Sequence, residues 1–159
     1  MSLSSGLTIV PAVPADAEAI VALMSPYVAQ QIVLPRSAAE IRANIDNFRV
    51  VRQPSSSCLV GCVALRDFGQ GLQEVRSLVV APEHAGRGLG TVLVQTAIEM
   101  ARERHAKRIF TLTVRPNLFL KLGFTHVPVT DFPQKVWSDC AHCPKREQCD
   151  EVALALDLT

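Results

Sequence analysis

Aromatic side chains are scarce in this sequence: one Trp, one Tyr and six Phe make up 5% of 159 residues. Base stacking needs more of them, and no stripe of Lys and Arg takes their place, so nucleic acid is not an expected partner. Charge of one sign is lacking too, since 16 Lys and Arg face 15 Asp and Glu. Apolar residues reach 48%, yet no run approaches the roughly 20 that a membrane span needs. A secretory leader is not visible in the first residues, which makes the cytoplasm the expected location. Five Cys are an odd number and do not read as a disulfide framework in that setting. These exclusions leave one domain over residues 1–159, a length within the roughly 100–200 residues usual for a single domain and able to bury a core.

Strand and helix signals alternate along the chain. Leu7 to Val10 reads as a short strand, broken by Pro11 and Pro14. Asp16 opens an amphipathic helix through Ile20, Leu23 and Met24, bent or ended near Pro26. Ser37-Ala38-Ala39-Glu40 is a capping box that starts a second helix through Ile41, Ile45 and Phe48. Arg49 to Arg52 is the next strand, Pro54 to Ser57 a turn, and Cys58 to Leu65 a buried strand in which Cys58 and Cys62 pack as small apolar groups. Gly69-Gln70-Gly71 is a hairpin turn. Two further strands are expected at Arg108 to Val114 and Val152 to Leu158.

The most informative stretch runs from Leu72 to Met100. A segment of β character, Val75 to Val80, ends at Pro82. Three glycines at alternate positions follow (Gly86, Gly88 and Gly90), then a helical period carrying Leu89, Val92, Leu93, Ala97 and Met100 on one face. Glycines where a strand passes into a helix let the backbone approach a ligand, and the helix N-terminus favours an anion, so the junction suits a phosphate or diphosphate. A Rossmann site needs G-x-G-x-x-G and a later acidic residue, while a phosphate-loop NTPase needs Gly-Lys before Ser or Thr. Neither pattern is present.

Ala85-Gly86-Arg87-Gly88-Leu89-Gly90, preceded by Val80-Ala81-Pro82, resembles the [QR]-x-x-G-x-[GA] turn of the GNAT superfamily of acyl-CoA N-acetyltransferases. Ala85 departs from the usual Gln or Arg. Asn117-Leu118-Phe119-Leu120-Lys121-Leu122-Gly123-Phe124 is similar to the short helix and Gly-Phe that follow the fifth strand in that family. The resemblance implies an α/β fold with a central mixed, mostly antiparallel twisted sheet of about six to seven strands flanked by helices. It also implies acetyl-CoA as co-substrate, held by Leu78, Val79, Val80, Ala85, Gly86, Arg87, Gly88, Leu89, Gly90, Thr91, Asn117 and Phe119.

Acetyl transfer sets its own demands: a base for the amine, donors for the thioester oxygen and a proton for the thiolate. The resemblance puts the base at Glu74 and the donors at the amides of Val79 and Val80. Simple pairing of Glu74 with Arg76, two residues along one strand face, is the competing reading. Many relatives carry a Tyr proton donor where this chain has Phe119. The sole tyrosine, Tyr27, reads as core or cleft lining. Asn117 serves either the pantetheine arm or a helix cap.

For the acceptor, Leu34-Pro35-Arg36-Ser37 with the following capped helix resembles a segment of N-acetylglutamate synthases. The run Lys135 to Glu151, with Cys140, Cys143, Lys145 and Cys149, is similar to the tail of their short, single-domain bacterial form. That resemblance implies a small amino-acid substrate, L-glutamate, bound by Arg36, Ser37, Arg76, Lys121 and Lys145. Two carboxylates call for cations, preferably a forked Arg. Another amine such as glutamine, or a degenerate module binding coenzyme A or metal, stays open. So do a metal at the three cysteines and a homodimer.

Overall fold

The computed structural model describes residues 6–54, 58–132 and 152–159. Seven strands form one sheet: β1 (Thr8–Pro11), β2 (Phe48–Arg52), β3 (Leu59–Asp67), β4 (Leu72–Val80), β5 (Arg108–Thr113), β6 (Thr125–Val127) and β7 (Val152–Asp157). Their spatial order is β1-β2-β3-β4-β5-β7-β6. All neighbours are antiparallel except β4 and β5, which are parallel and joined across the sheet by a helix, as parallel neighbours require. The mixed, mostly antiparallel sheet expected from the sequence is therefore present.

Among the described residues four α-helices flank it: α1 (Ala17–Ala29), α2 (Ala38–Ala43), α3 (Leu89–Glu103) and α4 (Pro116–Leu120). On one face Leu89, Leu93, Ala97 and Ala101 of α3 pack with Val63, Leu65, Val75 and Ile109. On the other, Ile20, Met24 and Tyr27 of α1 and Ile41 of α2 pack with Val50, Cys62 and Val79. Each helix buries one apolar stripe, so the sheet is covered on both sides.

The departures from expectation have local causes. Helix α1 continues past Pro26 to Ala29, because a proline near the last turn removes little of the hydrogen-bond ladder. Helix α2 begins as expected, with Ser37 Oγ accepting the Glu40 amide at 3.0 Å, but it stops at Ala43 and not at Phe48. Asn44 bends the chain into a short 3-10 turn, and Phe48 starts β2 with its ring buried. Cys62 is buried, whereas Cys58 is exposed just ahead of β3, a correction to its expected place in the core. The three-residue strand β6 carries no sequence signal and was not anticipated. Gly69, Gln70 and Gly71 all take positive φ in the β3–β4 hairpin.

Asp16 anchors the start of α1. Its Oδ2 accepts the Val13 amide at 2.8 Å and the Arg52 guanidinium of β2 at 2.5 Å. Burial alone raises this carboxyl, but the Arg52 and Val13 hydrogen bonds outweigh burial and hold it below its ordinary 3.8. The stabilisation is thus fully present above 3.8 and is lost as pH falls through the lower folded value. In urea melts near pH 7, Asp16→Asn should lose about 1–3 kcal/mol, the scale of a hydrogen bond to a charged group. The gap to wild type should close in acid; a gap that persists there would show that charge is not its source.

Candidate active site

The site is a fork in the sheet. Strands β4 and β5 pair over three positions only, Leu72 with Arg108, Gln73 with Ile109 and Glu74 with Phe110. Beyond them β5 stays with β7 as far as Thr113, and β4 stays with β3 as far as Val80. A β-bulge separates their courses. The register of β3 against β4 shifts between Cys62 and Ala64, and Ser77 sits at φ 55°, a left-handed conformation rare for a residue other than glycine. The extra residue flips the side chains that follow. Val75 faces α3, yet Val79, four residues on, faces α1. Cys62 Sγ donates to the Ser77 carbonyl at 3.3 Å, and Thr111 Oγ1 donates to the Val75 carbonyl at 3.0 Å where the strands part. Burial pushes the Cys62 thiol up to about 12, so it is an inert brace.

Main-chain groups of β4 therefore look into the fork. The Ala81 amide donates to the Val60 carbonyl at 2.7 Å, which fixes the phase of the antiparallel ladder. Val79, opposite Cys62, turns its polar groups to β3; Val80, opposite Gly61, turns its own to the open side. Of the two amides expected at the thioester, Val80's thus faces the cleft. Its carbonyl accepts a hydrogen bond from the Tyr27 hydroxyl.

The cleft has a volume of about 260 Å³ and runs from Glu74 along β4 to Ala85, Gly86, Gly88 and Gly90, with Thr111, Leu112, Leu118 and Phe119 opposite. At its outer end Gly86 and Gly88 both take φ 80°. A Cβ at either would meet no atom within 4 Å, so glycine is needed there for conformation and not for space. Gly88 is the N-cap of the 15-residue helix α3 and supplies no side-chain acceptor. The first amides of α3 point outward beside these glycines, the arrangement that binds a diphosphate.

A second, more polar chamber of about 440 Å³ adjoins the inner end, lined by Glu40, Asn44, Asn47 and Arg66 among others. Arg36, Arg76 and Ser77 line both spaces and form the neck between them. Glu74 is 2% exposed and its Oε1 lies 3.0 Å from Arg76 Nε, so pairing of these two is a fact of the fold. Arg36 Nη1 stands 3.4 Å from Glu40 Oε2.

The remaining expected residues divide clearly. Leu78, Val79, Val80, Ala85, Leu89 and Phe119 line the cleft with the glycines named above. Arg87 is exposed on the turn, and Thr91 lies in the first turn of α3. Ser37 is committed to its cap. Asn117 is exposed in the first turn of α4, whose N-cap is Arg115, so it caps nothing and stands off the cleft wall. Lys121 is exposed at the far end of α4, away from both chambers. Lys145 and the cysteines 140, 143 and 149 lie outside the described residues. The lining residues that the sequence did not offer include Arg66, Arg115 and Ser77. Arg66 is placed by its register opposite Glu74. Arg115, the N-cap of α4 just after β5, has its guanidinium 5.7 Å from the centre of the Tyr27 ring. Ser77 owes its role to the bulge. The only advance sign was the apolar run Leu78-Val79-Val80, which breaks the alternation of Glu74 and Arg76.

A forked sheet with a diphosphate cradle at the end of the fork defines an acyl-coenzyme A transferase. Residues 28–124 match the acetyltransferase (GNAT) family, and the chain belongs to that family; acetyl-CoA is its co-substrate. It is 35% identical over 144 residues to an uncharacterized N-acetyltransferase of Chlorobaculum tepidum, covering 91% of this chain and 92% of the other. It is 36% identical over 121 residues to the amino-acid acetyltransferase of Ralstonia nicotianae, covering 75% of this chain but only 26% of that enzyme. Among solved structures, N-acetylglutamate synthase from Neisseria gonorrhoeae complexed with coenzyme A and N-acetyl-glutamate superposes with a TM-score of 0.85 at 25% identity, over 99% of this chain and 36% of the other.

Gly88→Ala tests the cradle. A left-handed residue bearing a Cβ costs roughly 1–2 kcal/mol, so the turn should relax and coenzyme A should bind about tenfold more weakly. Calorimetric titration yielding an unchanged Kd would separate the ligand from this turn.

Proposed function

We propose that this acetyltransferase moves acetyl from acetyl-CoA to the α-amine of L-glutamate, the first step towards arginine. The observation that carries the reading is the neck: Arg36 and Arg76 stand where the acetyl cleft opens into a polar chamber, with Arg66 beyond. An amine bearing one carboxylate needs one forked cation, and glutamate brings two carboxylates. An acceptor in the chamber, its amine turned through the neck, presents both acidic groups to guanidinium groups. The Ralstonia nicotianae and Neisseria gonorrhoeae relatives, an amino-acid acetyltransferase and an N-acetylglutamate synthase, support an amino-acid acceptor of this kind.

The chain's own groups then divide the work. The glycine turn and the α3 amides hold the diphosphate, and Val80 on the open edge of β4 pairs with the arm like an added strand. Its amide is the donor available to the thioester oxygen. Glu74, at the inner end beside the neck, takes the amine proton through a bridging water. Arg76 Nε, 3.0 Å from Glu74 Oε1, holds that carboxylate in place beside the neck.

A thiol-release assay with acetyl-CoA and a panel of amino acids tests the acceptor. Glutamate should be turned over in preference to glutamine, aspartate and neutral amino acids; turnover confined to amines without a side-chain carboxylate would overturn the reading. Arg36→Ala should raise the glutamate KM tenfold or more, about 1.4 kcal/mol, with little change for acetyl-CoA. Glu74→Gln should lower kcat by about a hundredfold while coenzyme binding holds. Full activity of that variant would remove Glu74 as the base.

A further inference from the structure

Acetyl transfer leaves a thiolate that must gain a proton, and the described residues of the cleft include few groups able to give one. Phe119, on α4, offers only ring carbon and is 3% exposed, edge-on to Phe124 with ring centres 5.2 Å apart. The guanidinium groups of Arg36, Arg76 and Arg115 hold their protons too tightly. Thr111 and Thr113 are aliphatic alcohols, weaker acids than a phenol, and Thr111 already donates to Val75. His84, at the outer end, has its Nε2 3.4 Å from Gln53. Among the described residues Tyr27 is the acid that touches the open edge of β4, its hydroxyl lying at the Val80 carbonyl.

We propose that Tyr27, acting from α1, is the residue that returns the proton to the departing thiolate. The Val80 carbonyl is where the donor's arm pairs along the fork, so the phenol rests between the glycine turn and Glu74, beside the path of the thioester. A carbonyl is a neutral acceptor, whereas a thiolate forming next to it is anionic and takes the hydrogen in preference. The step balances. The amine nitrogen bonds to the acetyl carbon, and the carbon–sulfur bond breaks with its electron pair going to sulfur. The Tyr27 O–H bond then gives its proton to sulfur, and the phenolate recovers the proton that the amine lost, through Glu74 and water. Arg115, its guanidinium 5.7 Å from the ring centre, favours the transient phenolate and holds the ring across the cleft. The inference rests on acetyl transfer itself and not on which amine accepts.

Tyr27 is the only tyrosine in the chain, so biosynthetic replacement of tyrosine by 3,5-difluorotyrosine makes this one phenol more acidic. Titratable and charged groups that line the cleft with it come from every wall: Arg115 from the segment between β5 and α4, His84 from the turn, Arg36 from the α1–α2 connection, Glu74 and Arg76 from β4. Fluorination leaves their own side chains unaltered. The measurement is the single-turnover rate of thiol release against pH, with whichever amine the wild type acetylates. The alkaline limb should move to lower pH in the fluorinated protein. Tyr27→Phe, which keeps the ring under Arg115, should abolish that limb and slow the step by about 10²–10⁴-fold, with the acetyl-CoA Kd held within about twofold. A limb unmoved by fluorination, a Tyr27→Phe rate equal to wild type, or a loss seen only in Kd would overturn the proposal. If Tyr27→Phe does not fold, the fluorinated protein decides alone. Inactivity towards glutamate, by contrast, falls on the acceptor reading and leaves Tyr27 to be judged with another amine.

Discussion

The divergence of β4 from β5 is the constraint on which the rest of the site depends. Parallel neighbours in a sheet normally pair along their length, and here they stop after Glu74 and Phe110. The cause lies in β4, where one extra residue enters the ladder with β3 and Ser77 is held in the left-handed region. A non-glycine residue there costs about 1–2 kcal/mol. That cost is met by the paired strand on either side and by the buried Cys62 thiol on the Ser77 carbonyl. Without the bulge, β4 would continue alongside β5, and the edge that an extended ligand needs would be spent within the sheet.

Everything else is positioned by that fork. Because the bulge reverses the side-chain alternation, Val79 joins the α1 face while Leu78 and Val80 pack towards α3. The same reversal leaves Glu74, Arg76 and Val79 all facing α1 and α2, where Arg36 and Tyr27 arrive from outside the sheet. Helix α3, packed against the centre of the sheet, brings its N-terminus to the outer end of the fork. One groove thus runs from a positive helix end to a buried carboxylate, with walls that come from opposite faces of the sheet. The positive helix end suits a diphosphate, and the buried carboxylate at the other end lies beside the neck that opens into the second chamber.

How much of this the sequence discloses depends on the range of the interaction. The glycine turn was legible because Gly86 and Gly88 are needed for local backbone conformation, which a short motif encodes. The Ser37 cap was legible for the same reason. The α2 boundary misled because Ile45 and Phe48 fit a helical period, while the structure uses Phe48 to begin a strand. Asn117 was expected at the pantetheine arm and Lys121 at a substrate carboxylate, and their place outside the cleft lining is set by how α4 packs, a long-range matter. Tyr27, Arg66 and Arg115 are separated widely in sequence and meet β4 only through the fold. No spacing rule joins them.

Glu74 and Arg76 show why a pairing and a catalytic role need not compete. A carboxylate that is 2% exposed is costly to bury alone, by several kcal/mol in general, so the fold itself requires a cation near Glu74. Arg76 meets that requirement whatever the acceptor is. Substituting it would unsettle β4 and the site together, and the two effects would be inseparable. Arg36 stands differently. Its Nη1 makes an i,i+4 contact with Glu40 at 3.4 Å, the arginine side chain 14% exposed and the glutamate 47%. Arg36 lies outside the sheet, between α1 and α2, whereas Arg76 is part of β4 itself. Replacing Arg36 therefore leaves every residue of β4 in place, which makes it the better probe of the neck.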